Sequence, residues 1–417
     1  MKLGRFFLRK EMFRSPQQYR TFLTIVLTWT LDLVGFSIVF PVLAPMLLSP
    51  QFHFFSSVTD EATRTTVLGL LFAIFGVAQF FGGPLWGTLA DHYGRYKIFL
   101  ATIGLSVFGY VLMALSVYIQ SLEWLFVGRV LTGFSSGNQG LAQSAVADLT
   151  DPKDRTRAFG ILMGVGGLGF VAGPWFGGKL ANPLWLSGSG AFIFAAIAAA
   201  INFFAVLFFF VETWEKKKHE TSLFHAFKDI RIVFHQKILR KILTAYLLFS
   251  IGWSFFLIFS PTYMVQKFSM GSDRLGDVFA YMALIWFFVS MFLNKELAGK
   301  FSLQNLVKFG TAIATVGIVL FLWPETLWPY WFIIPIPLLG AALAWVNLGS
   351  LLSVKASDHM QGRAMGAAGA MWSVGQIVAP MAAGPLAGWN IYSPLLTGAI
   401  IVFLCFIYFL TRYHESE

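Results

Sequence analysis

The chain is expected to be an all-α membrane protein, with twelve transmembrane helices in two six-helix bundles and both termini in the cytoplasm. Three observations carry this expectation. The 417 residues are 57% hydrophobic and 12% charged, whereas a soluble domain carries about 25% charged residues. The apolar residues fall in a dozen runs, each of the roughly 18 or more needed to cross a bilayer. Lys and Arg are divided very unequally between alternate loops.

The first run, 21–47, is much longer than the apolar segment of a cleaved signal, about 7–15 residues. It also holds Asp32, Pro41 and Pro45, so it is expected to be a retained first helix. Five more runs follow at 66–90, 96–119, 122–147, 157–180 and 188–211. A second set lies at 239–266, 275–298, 304–323, 329–353, 362–388 and 392–411. These give an N-terminal bundle over 1–211, a cytoplasmic linker loop over 212–238 and a C-terminal bundle over 239–417. The polar stretch Glu212–Lys241, with Lys216, Lys217 and Lys218 near its start, is expected to be a solvated linker with an amphipathic segment.

With the loops assigned to alternate sides, 25 of the 30 Lys and Arg fall on one side. Only Arg64, Lys179, Lys267 and Arg274 fall on the other, and Arg129 lies within a helix. The positive-inside rule then places both termini in the cytoplasm of a multi-pass protein of the inner (plasma) membrane. The net charge of +10 is explained by this orientation, and no nucleic-acid partner is expected.

Other chemistries lack their residues. The one cysteine, Cys405, permits neither an internal disulfide nor a thiolate cluster. The seven histidines show no metal-ligand spacing. Glycine-rich runs occur only inside apolar helices, so no phosphate-binding loop is present. The chain is not expected to be an enzyme, and neither a metal nor a cofactor is expected.

The two halves repeat. At an offset of 206, Arg157-Ala158-Phe159-Gly160 aligns with Arg363-Ala364-Met365-Gly366. Gly169, Pro174, Gly178 and Leu180 then align with Gly375, Pro380, Gly384 and Leu386. At an offset of 220, Pro41 aligns with Pro261. Parallel repeats of this kind place a substrate cavity at mid-depth between the halves, reached from alternate sides by rocking.

Four local patterns stand out in order along the N-terminal half. The first helix reads Leu31-Asp32-Leu33-Val34-Gly35, then Pro41 and Pro45. The loop after the second helix carries Gly87, Asp91, Gly94, Arg95 and Lys97. The fourth helix carries Arg129 and Gly133. The fifth carries Gly160, Gly169, Gly173, Pro174, Gly177 and Gly178. Together they resemble the major facilitator superfamily, and within it the drug:proton antiporter branch that includes tetracycline efflux proteins. The resemblance implies a twelve-helix secondary transporter that exchanges protons for small organic or drug-like molecules by alternating access. The C-terminal half departs from the pattern. Leu297–Lys308 lacks the Asp-x-x-Gly-Arg signature, the tenth helix has no counterpart of Arg129, and Gly252 stands where the repeat would place Asp32.

The residues support that implication independently. Asp32 is the only carboxylate deep in an apolar run. A charge there costs at least about 2.5–3.5 kcal/mol, a cost relieved by protonation. Asp32 is therefore the expected proton-coupling residue, with an ion pair or a hydrogen-bonded kink near Gly35 as the structural alternative. Arg129 cannot lose its proton. At helical spacing it shares a face with Thr132, Gly133, Ser136, Gly140 and Gln143, so Arg129 and Gln143 are candidate cavity residues; close helix packing is the other reading. Gly87, Asp91, Gly94, Arg95 and Lys97 are expected to form a cytoplasmic gate, with Asp91 just before the third helix, where a carboxylate can interact with its N-terminal dipole. Plain positive-inside anchoring would account for the two cations alone. The fifth helix has no polar side chain from Ile161 to Phe176, so its glycines and Pro174 are expected to make a close seal or hinge. Tyr246, Ser250 and Trp253 share one face of the seventh helix, and Trp372 and Gln376 share one of the eleventh. Of these, Tyr246, Trp253, Trp372 and Gln376 are candidate substrate contacts.

The expected function is proton-driven efflux of small organic molecules, with protons, the cargo and the lipid bilayer as partners of a monomer. An importer, including a siderophore or metabolite carrier, shares every motif, because direction depends on gradients. A membrane sensor without transport would not need Asp32.

Overall fold

A computed structural model describes residues 13, 15–49, 51–184, 186–213, 231–357 and 360–413. Residues 214–230, including Lys216, Lys217 and Lys218 of the expected linker, lie outside them. Among the described residues the regular structure is entirely helical, and ten helical segments are long and apolar enough to cross a membrane.

The first expected helix is two pieces, α1 (Pro16–Ser37) and α2 (Phe40–Leu48), parted at Ile38–Val39 just before Pro41. Ser15 starts α1 by accepting a hydrogen bond from the Gln18 N–H (3.2 Å), with Pro16 in the first turn, where its missing N–H costs nothing. Then come α3 (Glu61–Tyr93) and α4 (Arg95–Ile119), separated by Gly94 at φ +91°. That backbone conformation favours glycine. The expected fourth helix, 122–147, is also divided, into α5 (Leu122–Ser135) and α6 (Asn138–Leu149). At the break the Ser136 hydroxyl turns back to the Gly133 carbonyl (2.7 Å), and Gly137 follows. α7 (Pro152–Leu180) and α8 (Gly190–Phe209) complete this stretch.

The remaining helices are α9 (Lys237–Phe268), α10 (Ser272–Phe288) and, beyond a π-turn at Val289–Leu293, α11 (Asn294–Ala298). After them come α12 (Leu303–Phe321), α13 (Tyr330–Ile333), α14 (Pro335–Lys355), α15 (Gln361–Trp389) and α16 (Ser393–Arg412). Two expected spans are absent from the ten. The fourth is cut into short pieces, and α15 is long enough but built largely of Gly, Ala and polar residues.

Packing divides the chain into two units. Of the described residues, those within Met1–Val39 and Phe81–Leu223 form the first, and those within Phe40–Phe80 and Phe224–Glu417 form the second. Residues 40–80 thus pack with the C-terminal helices, although they belong to the sequence half 1–211. The first unit has a core of Phe22, Ile25, Phe99, Ile103, Val146 and Leu162, drawn from α1, α4, α6 and α7. In the second unit glycines bring helix backbones together. A Cβ on Gly310 would come within 2.7 Å of the Gly340 carbonyl, and one on Gly252 within 2.9 Å of the Gly398 carbonyl. Along α3, Gly69 meets the Pro380 carbonyl of α15, while Gly384 of α15 meets the Thr65 carbonyl. Such contacts suit a bilayer, where lipid is as apolar as leucine and packing must supply the attraction.

Candidate functional site

Asp32 lies in the last half of α1, half-buried. Its side-chain partner is Asn138, the first residue of α6. The break at Ser136–Gly137 is what brings Asn138 to this position as a helix start. Asn138 is 1% exposed and its Oδ1 accepts a hydrogen bond from the Thr102 hydroxyl of α4. Its Nδ2 is buried without a hydrogen-bond partner, and the amide lies within electrostatic reach of Asp32. One turn further along α4, Ser106 and Ser135 share a hydrogen bond of 2.7 Å.

Tyr110 joins this group from the next turn of α4. Its hydroxyl packs against Gly35 of α1, one turn beyond Asp32. It lies within electrostatic reach of both Asp32 and Arg129. Arg129 is 3% exposed, and the helix bearing it is drawn close to α4, where a Cβ on Gly109 would meet the Thr132 methyl at 2.8 Å. Tyr110 therefore links Asp32 and Asn138 to Arg129 in one largely buried polar group contributed by α1, α4, α5 and α6. In this group the carboxylate can gain and lose a proton, while the amide, the phenol and the guanidinium can stabilise it by hydrogen bonding and charge. Among the described residues no group of His, Cys, Asp and Glu is placed to bind a metal ion. Gln143, expected on the Arg129 stripe, is half-buried on α6, past the break that ends the common helical phase.

At the α3–α4 junction the structure corrects one detail. Asp91 was expected in the loop just before the third helix, near its dipole; it instead stays in the last turn of α3, which runs to Tyr93 because the chain turns only at Gly94. Glu212 takes the expected place. Its carboxylate accepts hydrogen bonds from the backbone N–H of Arg95 (3.0 Å) and of Tyr96 (3.1 Å). Arg95, 8% exposed, donates through Nε to Asp148 at the end of α6 (2.7 Å) and lies 3.7 Å from Asp91. Lys97 is exposed and Gly87 has open space around its Cα. Asp148 and Glu212 were missed. Glu212 is the first charged residue after the sixth apolar run, and Asp148 precedes the Asp151-Pro152 helix start, which is the signal that could have found them.

The glycines of α7 pack on α1. Gly169 meets the Thr30 carbonyl, Gly173 the Ser37 hydroxyl and the Val34 carbonyl, and Gly177 the Ile38 carbonyl. Gly160 has open space, and Pro174 and Gly178 are buried within a continuous helix. The expected seal is thus a seam inside the first unit.

In the second unit an aromatic row runs along α9. Tyr246 packs on Trp345 (ring centroids 4.8 Å), which meets Trp372 (4.7 Å), while Trp253 stacks on Trp286 (5.8 Å). Gln376 donates to the Ser254 hydroxyl (3.1 Å). Tyr246, Trp253 and Gln376 are buried; Trp286, Trp345 and Trp372 are half-buried. Trp286 and Trp345 were missed, since they sit on helices without a polar stripe.

The sequence pattern of the Major Facilitator Superfamily matches residues 25–380. The chain belongs to the Major Facilitator Superfamily. Within the superfamily it is 27% identical over 367 residues to a class H tetracycline resistance protein of Pasteurella multocida, covering 87% of this chain and 88% of that protein. It is 26% identical to a class C tetracycline resistance protein of Escherichia coli, covering 86% and 87%. Among solved structures, the human organic anion transporter MFSD10 superimposes with a TM-score of 0.70 at 21% identity, over 95% of this chain and all of that one. A D-xylose-proton symporter gives 0.76 at 14% identity, over 95% and 98%. The chain is thus a multi-pass membrane transporter of the superfamily, and not an enzyme, with a small-molecule substrate and a lipid surround.

Proposed function

We propose that this transporter couples proton entry to the export of small organic molecules, with Asp32 as the proton-carrying group. The observation that carries this reading is the cluster of Asp32, Asn138, Tyr110 and Arg129. A lone carboxylate at membrane depth is expensive when charged, and this one is surrounded by groups that can hold either of its protonation states. Arg129 supplies a fixed positive charge that stabilises the cluster or meets an anionic part of the cargo.

The complete reading has twelve spans, with α5 and α6 together as the fourth and α15 as the eleventh. The halves 1–211 and 239–417 act as two repeat bundles joined by the 212–238 linker. Both termini lie in the cytoplasm, the protein works as a monomer in the inner membrane, and the proton gradient is the energy source without a cofactor. The cluster of Gly87, Asp91, Gly94, Arg95 and Lys97, extended by Asp148 and Glu212, is the cytoplasmic gate. The α7 glycines, Gly160 to Gly178, provide the hinge. Gln143 and the row of Tyr246, Trp253, Trp372 and Gln376 contribute to the cargo pocket. The relatedness to tetracycline resistance proteins makes tetracycline-class compounds the first cargo to test.

The test is proton flux in sealed proteoliposomes with a pH-sensitive dye inside. A proton gradient should drive cargo accumulation opposite to proton flow in the unaltered protein. Asp32→Asn should insert and bind a neutral cargo, fail to concentrate it uphill, and retain downhill exchange. Arg129→Ala should instead weaken binding or shift the pH profile. Full proton-driven accumulation by Asp32→Asn would remove Asp32 from the mechanism, and cargo moving with the protons would make the protein an importer.

A further inference from the structure

We infer that Asn138 is a two-state positioning residue for Asp32, whose side-chain amide turns over when Asp32 gains or loses its proton, with the Thr102 hydroxyl as the pivot. This rests on Asp32 being the proton-carrying group.

The Thr102 hydroxyl is within hydrogen-bonding range of three acceptors: the Ile98 carbonyl (2.8 Å), the Phe99 carbonyl (3.1 Å) and Asn138 Oδ1. A hydroxyl has one hydrogen and two lone pairs, so it can donate to only one of these at a time. Two complete arrangements follow. In the first, Thr102 donates to Asn138 Oδ1, and the amide presents its NH2 to Asp32. In the second, Thr102 donates to the Ile98 carbonyl and accepts from Asn138 Nδ2, and the amide presents Oδ1 to Asp32.

Each arrangement fits one protonation state. An ionised carboxylate only accepts, so it requires the NH2; a protonated carboxyl carries an O–H donor, so it requires Oδ1. A fixed amide would serve one state and oppose the other in a site where unpaired polar atoms are costly. The structure holds the Thr102–Oδ1 bond of the first arrangement and leaves Nδ2 buried and unpartnered, within reach of Asp32. The exchange is balanced. Asp32 takes a proton from a hydronium ion and leaves water behind; its O–H then donates to Oδ1, Nδ2 donates to the Thr102 oxygen, and the Thr102 O–H turns to donate to the Ile98 carbonyl. No proton leaves Asn138 or Thr102.

The other groups facing Asp32 keep their roles in both states. Tyr110 of α4 acts on Asp32, and Arg129 of α5 is in electrostatic contact with this phenol. α7 has no ionisable side chain between Arg157 and Lys179, and α8 has none at all. Asn138 is therefore the one amide of this group that can answer the proton by reversal.

The experiment is infrared difference spectroscopy of the purified full chain between high and low pH. The carboxyl band of Asp32 is identified as the one missing in Asp32→Asn. In Asn138→Leu the band should move to higher frequency, because the protonated carboxyl loses its acceptor. Its midpoint should rise by about one pH unit, tenfold in proton affinity, because the carboxylate loses a charge-assisted donor. Thr102→Val should also move the band, and Thr102→Ser should restore it. An Asp32 band indifferent to both Asn138→Leu and Thr102→Val overturns the inference. If no Asp32-dependent band exists and Asp32→Asn still transports uphill, the proposed function falls with it; if Asp32→Asn loses coupling but Asn138 is silent, only the switch is wrong.

Discussion

Glu212, three residues past the end of α8, caps the first turn of α4 by accepting the N–H groups of Arg95 and Tyr96. The carboxylate thus sits at the positive end of the α4 dipole and beside the Arg95 charge network. Glu212→Ala should lower stability by about 1–2 kcal/mol, the usual range for a lost cap strengthened by charge. Glu212→Gln should recover part of it. Thermal unfolding in detergent reads both; equal melting of all three proteins would mean that the cap contributes nothing.

Asp91 faces Arg95 from the exposed side, at 3.7 Å. An exposed pair is worth at most about 1 kcal/mol. Asp91→Asn should therefore leave the fold and cargo affinity intact but slow cycling if the junction is the gate. Transport rate and equilibrium binding on one preparation decide it. Weakened binding with normal turnover would contradict a gating role.

The α7 glycines are not equivalent. A Cβ at Gly173 would approach the Val34 carbonyl to 2.6 Å, whereas Gly160 has nothing within 4 Å. Gly173→Ala should cost about 1–3 kcal/mol through overpacking. Gly160→Ala should stabilise by about 0.5–1 kcal/mol, since alanine favours the helix. Melting temperatures moving in the same direction would refute the difference in packing.

Cys405 is buried, and its thiol lies 3.2 Å from the Ala245 carbonyl. Maleimides should leave the native protein unlabelled until it is denatured. Lys218→Cys and Asp60→Cys then report topology directly, and each should label from the opposite face of an intact cell or vesicle. Labelling of both from one face would end the twelve-span arrangement.

Lys267, at the end of α9, is enclosed by the rings of Tyr263 (5.6 Å), Phe268 (5.6 Å) and Tyr392 (5.4 Å) and bonded to Glu325 (3.3 Å). Cation–π contacts that are partly desolvated contribute about 0.5–2 kcal/mol. Lys267→Met should destabilise by roughly that amount, and Lys267→Arg by less. A methionine variant that melts with the parent would show the cage to be energetically idle.

The helical class and most helix positions were legible because each apolar run must satisfy its backbone within itself. Asp32 and Arg129 were legible as charges in apolar surroundings. Asn138, Tyr110 and Asp148 were not, because their importance depends on which helices touch. An asparagine in Ser-Gly-Asn-Gln looks like one more small polar residue until the break at Ser136–Gly137 turns it toward α1. The packing of residues 40–80 with the C-terminal helices was also hidden, since repeat symmetry reports ancestry rather than contact. Trp345 shows the same limit: among fourteen tryptophans, only its place between Tyr246 and Trp372 distinguishes it.

The seam between α1 and α7 has one more consequence. Thr30, Val34 and Ile38 meet the glycines, and at 100° per residue Asp32 lies about 200° around α1 from both Thr30 and Val34. The glycines therefore act as a keel. With backbone wedged against backbone on one side, α1 has no room to roll about its axis, and the bearing of its single carboxylate is held by residues that never approach it.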